Sequence, residues 1–195
     1  TQPPTLEEYP LVAVLVPCFN EQDNADETIS HALKLNYPNF EVIAINDGSS
    51  DNTAEILNAL ALKYDKLRVV HLAENQGKAM ALQAGSLLTD AEFLIGIDGD
   101  ALLDPYAAQW MIRHFLNNPT VAAVTGNPRI RTRSTLLGRI QVGEFSSIVG
   151  MIKRAQRTFG RLFTVSGVIT AFRKSAVHEV GYWSPNMLTE DIDIT

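Results

Sequence analysis

Asp98 and Asp100 place two carboxylates one residue apart, directly after the apolar run Phe93-Leu94-Ile95-Gly96-Ile97. A strand aims alternate side chains the same way, so at a strand end both are expected to face one point. Two hard oxygen donors at such a point suit Mg²⁺ or Mn²⁺, ions usually held by one or two carboxylates together with substrate phosphates. Gly99 between them lets a ligand approach the backbone closely. An isolated Asp-Gly-Asp is also what a solvated turn looks like. The decision therefore rests on the elements around it.

Those elements alternate. Apolar runs at 11–16, 41–46, 67–72, 93–97 and 121–126 read as strands, the first expected to break at Pro17. Helical patterns fall between them, at about Asp23–Leu35, Asp51–Lys63, Gln76–Leu88 and Pro105–Asn117. Asp51 or Ser50 is the expected N-cap of the second, and Pro105 takes the first position of the fourth. Strands of five to six residues alternating with longer helices predict an α/β fold. The sheet should be Rossmann-like and mostly parallel, with helices on both faces. Ligands of such sheets bind outside the carboxyl ends of the strands. Pro17–Glu21, Asn46–Ser50 and Asp98–Asp100 all fall there.

The later part of the chain has a different character. A long helix is expected at 134–157, with Leu136, Ile140, Phe145, Ile148 and Ile152 near a 3.6-residue period. Short strand-like runs follow at 163–167 and 169–172, then a short helix near 174–180. Residues 1–128 hold 17 acidic and 6 basic side chains, whereas residues 129–174 hold 10 basic side chains and one acid, Glu144. That basic stretch reads either as a solvated helix face or as a surface for anionic lipid or phosphate. No RNA-binding motif accompanies it, so nucleic acid is not an expected partner.

Composition narrows the classes. The chain has 195 residues, a net charge of −6, 46% hydrophobic and 19% charged residues, which suits one folded domain. A single cysteine, Cys18, excludes an internal disulfide framework. The four histidines, His31, His71, His114 and His178, show no metal-ligand spacing. No run of 18 apolar residues is present, and no G-x-G-x-x-G follows the first strand, which disfavours a dinucleotide-dependent dehydrogenase.

Five segments in order then carry a resemblance: 16–21 (Val-Pro-Cys-Phe-Asn-Glu), 46–51 (Asn-Asp-Gly-Ser-Ser-Asp), 75–78 (Asn-Gln-Gly-Lys), Asp98-Gly-Asp100 and Thr189-Glu190-Asp191. Together they resemble the successive motifs of glycosyltransferase family 2, whose catalytic domain has the GT-A fold. Within it the chain is similar to processive membrane synthases of β-linked polysaccharides, including those of bacterial biofilm matrix. The resemblance implies a UDP-sugar donor, with N-acetylglucosamine the expected sugar, and a polysaccharide acceptor. It implies that Asp100, and with less force Asp98, holds Mg²⁺ or Mn²⁺, while Asp98 has an alternative role toward the ribose or uridine. Asp47 would accept from the uracil ring, or else simply cap a helix. Lys78 would approach the diphosphate or base, or else be an ordinary exposed lysine. Pro17 and Glu21 would frame the nucleotide, Glu21 having a second reading as a first-turn helix acid.

Asp191 is the implied general base, since an acceptor hydroxyl is a poor nucleophile until a positioned carboxylate takes its proton. In-line displacement would invert the anomeric carbon. The processive members carry a Gln- or Arg-x-x-Arg-Trp motif and transmembrane helices beyond this point. Neither occurs here, and the expectation is an excised catalytic piece from the cytoplasmic face of a bacterial inner membrane. It would comprise an extended lead-in (1–10), a nucleotide-binding half (11–128) and an acceptor-side half (129–195). Membrane contact would come through segments outside this chain and through helix 134–157, and a small membrane partner subunit is a further option. Two rival readings stand beside this one: a non-processive member adding one sugar to a lipid or protein, and a UDP-sugar-binding module without catalysis.

Overall fold

In the computed structural model, the residues described are 3–126 and 168–183. The chain order is β1 (Val12–Cys18), α1 (Ala25–Ala32), β2 (Phe40–Asp47), α2 (Thr53–Ala61), β3 (Leu67–Leu72) and α3 (Lys78–Leu87). It continues with β4 (Phe93–Ile97), α4 (Ala107–Asn117), β5 (Ala123–Thr125), β6 (Ile169–Arg173) and α5 (Lys174–Glu179). The six strands form one sheet in the order β3-β2-β1-β4-β6-β5. The first four run parallel, and β6 runs antiparallel to both β4 and β5. The sheet thus takes strands from both sides of residue 128. Helix 134–157, the run 163–167 and Thr189–Asp191 lie outside the described residues.

Strict alternation along the central strands builds two cores. Val12, Val14, Val16, Val42, Ala44, Phe93 and Ile95 face Ile29 of α1, Leu57 of α2 and Ile112 and Phe115 of α4. Ala13, Leu15, Ile43, Ile45 and Leu94 face Ala81 and Leu82 of α3 and Val177 of α5. Both faces of β1 are therefore covered, which explains why its sequence is apolar throughout rather than alternating. Phe93 and Phe115 stack with ring centroids 4.8 Å apart, an arrangement worth roughly 0.5–1.5 kcal/mol beyond area burial.

Arg173 fastens the antiparallel edge. Its guanidinium donates to the Phe115 carbonyl at 3.2 Å, to the Val121 carbonyl at 3.4 Å and to Glu92 at 3.1 Å. It also lies 5.0 Å from the centre of the Phe93 ring. One side chain at the end of β6 thereby joins α4, the entry to β5 and the start of β4.

Several element ends differ from expectation, each for a local reason. β1 does not stop at Pro17 but runs to Cys18. Its pairing with β4 ends at Leu15–Gly96, and the Pro17 carbonyl faces Gly99 beyond that ladder, so the missing N–H of proline costs no β1–β4 bond. α1 begins at Ala25 because Glu21–Ala25 forms a turn, with the Asn24 and Ala25 N–H groups donating to the Glu21 carbonyl. The cap position of α2 is Asn52, and the acceptor for its first turn comes instead from Asp51 Oδ1, 3.0 Å from the Thr53 nitrogen. Pro105 lies ahead of α4 rather than at its first position, in a turn where Asp104 Oδ1 accepts from the Tyr106 N–H at 2.9 Å. Among the described residues no helix is long and apolar enough to cross a membrane.

Candidate functional site

The carboxyl ends of β1, β2 and β4 meet at the N-terminal end of α3, and each contributes polar residues. β1 leads into Phe19-Asn20-Glu21, where Asn20 has φ 54°, in the left-handed region that Asn tolerates better than most residues. This conformation lets Asn20 clasp the loop after β2. Its N–H donates to Ser49 Oγ at 3.0 Å, and its Oδ1 accepts from the Ser50 N–H at 2.9 Å. Next along, the Glu21 N–H donates to Thr53 Oγ1 at 2.8 Å and the Gln22 N–H to Asp51 Oδ2 at 3.1 Å. The two loops are stitched together residue by residue.

The Asp51 carboxyl takes part in that stitching. Desolvation pushes its pKa up, but donation from the Thr53 hydroxyl and from the Thr53 and Gln22 N–H groups outweighs this and holds it below the usual value. Beneath the loop, Asn46 is 5% exposed. Asn46 Oδ1 accepts from the Ser49 N–H at 3.1 Å, so its Nδ2 must be the atom facing His71 Nδ1 at 3.1 Å. Nδ1 is then an acceptor, and the proton sits on Nε2, 2.9 Å from Asn58 Oδ1. The loop is thus oriented through the His71 ring.

Asp47, the last residue of β2, is 3% exposed. Oδ1 accepts from the Gln76 N–H and Oδ2 from the Gly77 N–H, both at 2.9 Å. These N–H groups lie immediately ahead of α3, so Asp47 anchors the start of that helix from a different element. Any contact to a uracil would use lone pairs beyond these two bonds. Next to it, Gly48 has φ +65°, and a Cβ there would fall 2.5 Å from the Asn75 nitrogen. The loops after β2 and β3 approach too closely for any side chain.

The Asp98–Asp100 pair sits on a turn, not on extended strand. β4 ends at Ile97, and the Ala101 N–H donates to the Asp98 carbonyl at 3.1 Å. Strand alternation therefore does not set the directions of the two carboxylates; the turn does. The Asp98 N–H donates to the Val168 carbonyl at 3.2 Å, which fixes the turn against the approach to β6. A Cβ on Gly99 would lie 2.9 Å from the Pro17 carbonyl oxygen and 3.0 Å from Glu21 Cγ. Pro17 and Glu21 are thus brought directly against this turn. Glu21 Oε2 accepts from Asn24 Nδ2 at 2.8 Å. Lys78, the first residue of α3, reaches across to Asp98, with Nζ 2.7 Å from Oδ1. Asp100 is exposed.

Pro17 and Glu21 therefore lie against the Asp98–Asp100 turn, and Lys78 reaches that turn at Asp98, while Asp47 holds the backbone just ahead of Lys78. Asp191 lies outside the described residues. The donor set is hard oxygen, suited to Mg²⁺ or Mn²⁺. Among the described residues no three of His, Cys, Asp or Glu converge to complete a coordination sphere, so the remaining positions would fall to phosphate and water. Cys18, just below, takes no part. Burial and then the Glu21 charge push its thiol up to about 12, leaving it protonated and unreactive near neutral pH.

Comparison with known proteins gives this cluster a context. The model of Glycosyl transferase family 2 matches residues 13–181. The chain belongs to glycosyltransferase family 2. It is 46% identical over 184 residues to the poly-β-1,6-N-acetyl-D-glucosamine synthase of Staphylococcus epidermidis, covering 94% of this chain and 44% of that protein. It is 44% identical over 190 residues to the protein of the same name from Staphylococcus aureus strain MSSA476, covering 97% of this chain and 46% of the relative. The chain thus spans just under half the length of the curated relatives it matches.

Two solved structures share its fold. A mannosyltransferase from Pyrobaculum calidifontis, in complex with GDP-Man and Mn²⁺, superposes with a TM-score of 0.77 at 24% identity, covering 95% of this chain and 50% of that one. S. aureus TarS 1–349, in complex with UDP-GlcNAc, gives 0.64 at 17% identity, covering 94% and 51%. These likenesses establish the GT-A architecture of this family 2 chain.

Sequence reading gave no individual role to Asn20, Asn46, Thr53 or His71, and gave Asp51 only that of a helix cap. Asn20 carried a usable signal, as an Asn just past a strand end. His71 carried none, because its partner becomes visible only once the β2–β3 register pairs it with Asn46.

Proposed function

We propose that this chain carries the donor-binding part of an inverting, metal-dependent N-acetylglucosaminyltransferase that extends a β-linked poly-N-acetylglucosamine from UDP-N-acetylglucosamine, as in biofilm matrix synthesis. The observation that carries this reading is the identity of 44–46% to poly-β-1,6-N-acetyl-D-glucosamine synthases over nearly the whole chain. The strand-end cluster supports it, since its residue types suit a nucleotide diphosphate. The polysaccharide acceptor and a membrane setting at the cytoplasmic face of the bacterial inner membrane belong to the same reading.

In this reading Asp100, with Asp98, holds Mg²⁺ or Mn²⁺, which would act as a Lewis acid toward the departing diphosphate. Pro17 and Glu21 frame the nucleotide beside the Asp98–Asp100 turn. Asp47 keeps the loop before α3 in place, and Lys78 offers its ammonium to the diphosphate. Asp191 takes the proton from the acceptor hydroxyl as the new bond forms on the face opposite the leaving group, so an α-linked donor yields a β-linked product. The helix expected from the sequence at 134–157 would lie along the membrane surface.

Transfer of labelled N-acetylglucosamine by the full-length synthase tests this directly. Asp191→Asn should lower the transfer rate by ~10²–10⁴ while UDP affinity stays within a few-fold, because the amide keeps the shape but cannot accept the proton. A variant retaining more than half its activity would show that Asp191 is not the base. Preference for a different UDP-sugar would reassign the donor.

A further inference from the structure

The Lys78–Asp98 ion pair conflicts with the donor site in its working form. Lys78 Nζ lies 2.7 Å from Asp98 Oδ1, with each side chain 29% exposed. An ammonium there takes up one oxygen of a carboxylate that a divalent ion, with oxygen ligands at about 2.0–2.1 Å for Mg²⁺, would also draw on. Two cations crowded on one carboxylate repel each other, so the ion and the lysine compete.

We propose that Lys78 is an exchangeable counter-ion, which neutralises Asp98 in the free protein and passes to the donor diphosphate when a metal ion takes the carboxylate. This rests on the donor-site reading above and adds an order to it: the ion binds well only when the nucleotide arrives to receive the lysine.

The local construction suits such an exchange. Asp47 fixes the backbone just ahead of Lys78 through the Gln76 and Gly77 N–H groups. Only the flexible four-carbon stem then has to move. Lys78 is also the first residue of the ten-residue helix α3, whose N-terminal end favours negative charge, so the side chain can turn toward a diphosphate without leaving its own element. Glu21 packs against Gly99, and Asp100 follows in the same turn, so a departing ammonium leaves an acidic turn that favours a replacement cation. The arrangement keeps the site from taking up a metal ion unproductively, and it couples metal and nucleotide binding.

The test is Mn²⁺ binding without nucleotide, followed by the EPR signal of free Mn²⁺, beside UDP binding in the presence of Mn²⁺ by calorimetry. Lys78→Met should tighten binding of Mn²⁺ alone by about fivefold or more, the lower end of typical site-to-site coupling, while weakening UDP binding in Mn²⁺. Lys78→Arg, which keeps the charge, should leave binding of Mn²⁺ alone within about twofold of the unmutated chain by the same coupling argument. Melting curves establish that each variant is folded, and Lys78→Gln carries the same expectation should Lys78→Met not be. Unchanged, weaker or undetectable Mn²⁺ binding by the charge-removing variant, in a chain whose UDP binding still requires metal, overturns the exchange and leaves the donor site standing. Absence of UDP binding by the unmutated chain, with and without Mn²⁺, overturns the donor site and the exchange together.

Discussion

The loops after β1 and β2 and the turn after β4 face the same ligand space but are built in opposite ways. In the first pair, Asn20 bonds Ser49 and Ser50 across the loop boundary, the Glu21 and Gln22 N–H groups donate to Thr53 and Asp51, and Asn46 and His71 support them from below. The Asp47 carboxylate spends one bond from each oxygen on the backbone ahead of α3. The turn after β4 rests on backbone bonds, and its Asp98 carboxylate is paired with a lysine from another element. The first region is pre-organised and has little freedom to adapt. The second is set up to exchange partners. A nucleotide site gains from both: rigid surfaces discriminate, and a replaceable ion pair admits metal and diphosphate together.

Substitutions in the rigid region should therefore register mainly as lost stability. Gly48→Ala should cost the most. It forces an L-residue to φ +65° and drives a methyl to 2.5 Å from the Asn75 nitrogen. Left-handed strain of ~1–2 kcal/mol and overpacking of ~1–3 kcal/mol add to about 2–5 kcal/mol, measurable by urea denaturation. A loss below about 1 kcal/mol would show that the two loops can move apart.

Asp47→Asn should follow, at about 1.5–3 kcal/mol, because both backbone N–H groups lose a charged acceptor and one of them, facing the amide NH₂, loses its acceptor altogether. The same substitution should loosen the start of α3, seen as faster hydrogen exchange at Gln76 and Gly77. Unchanged exchange there would separate Asp47 from that anchoring role.

The smallest effect concerns pH. The Asp51 carboxyl is held below its ordinary value when folded, so its contribution is present above the unfolded pKa and fades as pH falls through the folded one. Asp51→Asn should accordingly flatten the acid limb of the stability profile, lowering stability modestly at neutral pH and changing little at low pH, where the carboxyl is already protonated. An identical acid limb in both proteins would remove Asp51 from the account.

Much of this was legible in the residues themselves. Runs such as Val12–Val16 and Val42–Ile45 are apolar on both faces because helices cover both faces of the sheet, and their alternation with helical segments is what points to parallel strands. The strand-end clusters were equally visible, since polar residues directly after a buried run have few other uses. The antiparallel insertion of β6 between β4 and β5 was not. It joins residues 169–173 to a strand more than seventy positions earlier, and pairing of that range leaves no local periodicity. Nor was the Asp98–Asp100 turn. Alternation predicts convergence only while the backbone stays extended, and β4 ends at Ile97, before either carboxylate.

The account turns on a metal-dependent nucleotide diphosphate site at these strand ends, and UDP calorimetry with Mg²⁺ or Mn²⁺ against the same titration in chelator tests it most directly. UDP should bind several-fold more tightly with the ion, since the ion offsets repulsion between the diphosphate and Glu21, Asp98 and Asp100. Asp100→Asn should erase most of that difference while leaving the melting curve in place. Equal affinity with and without metal in the unmutated chain would contradict the assignment of Asp98 and Asp100.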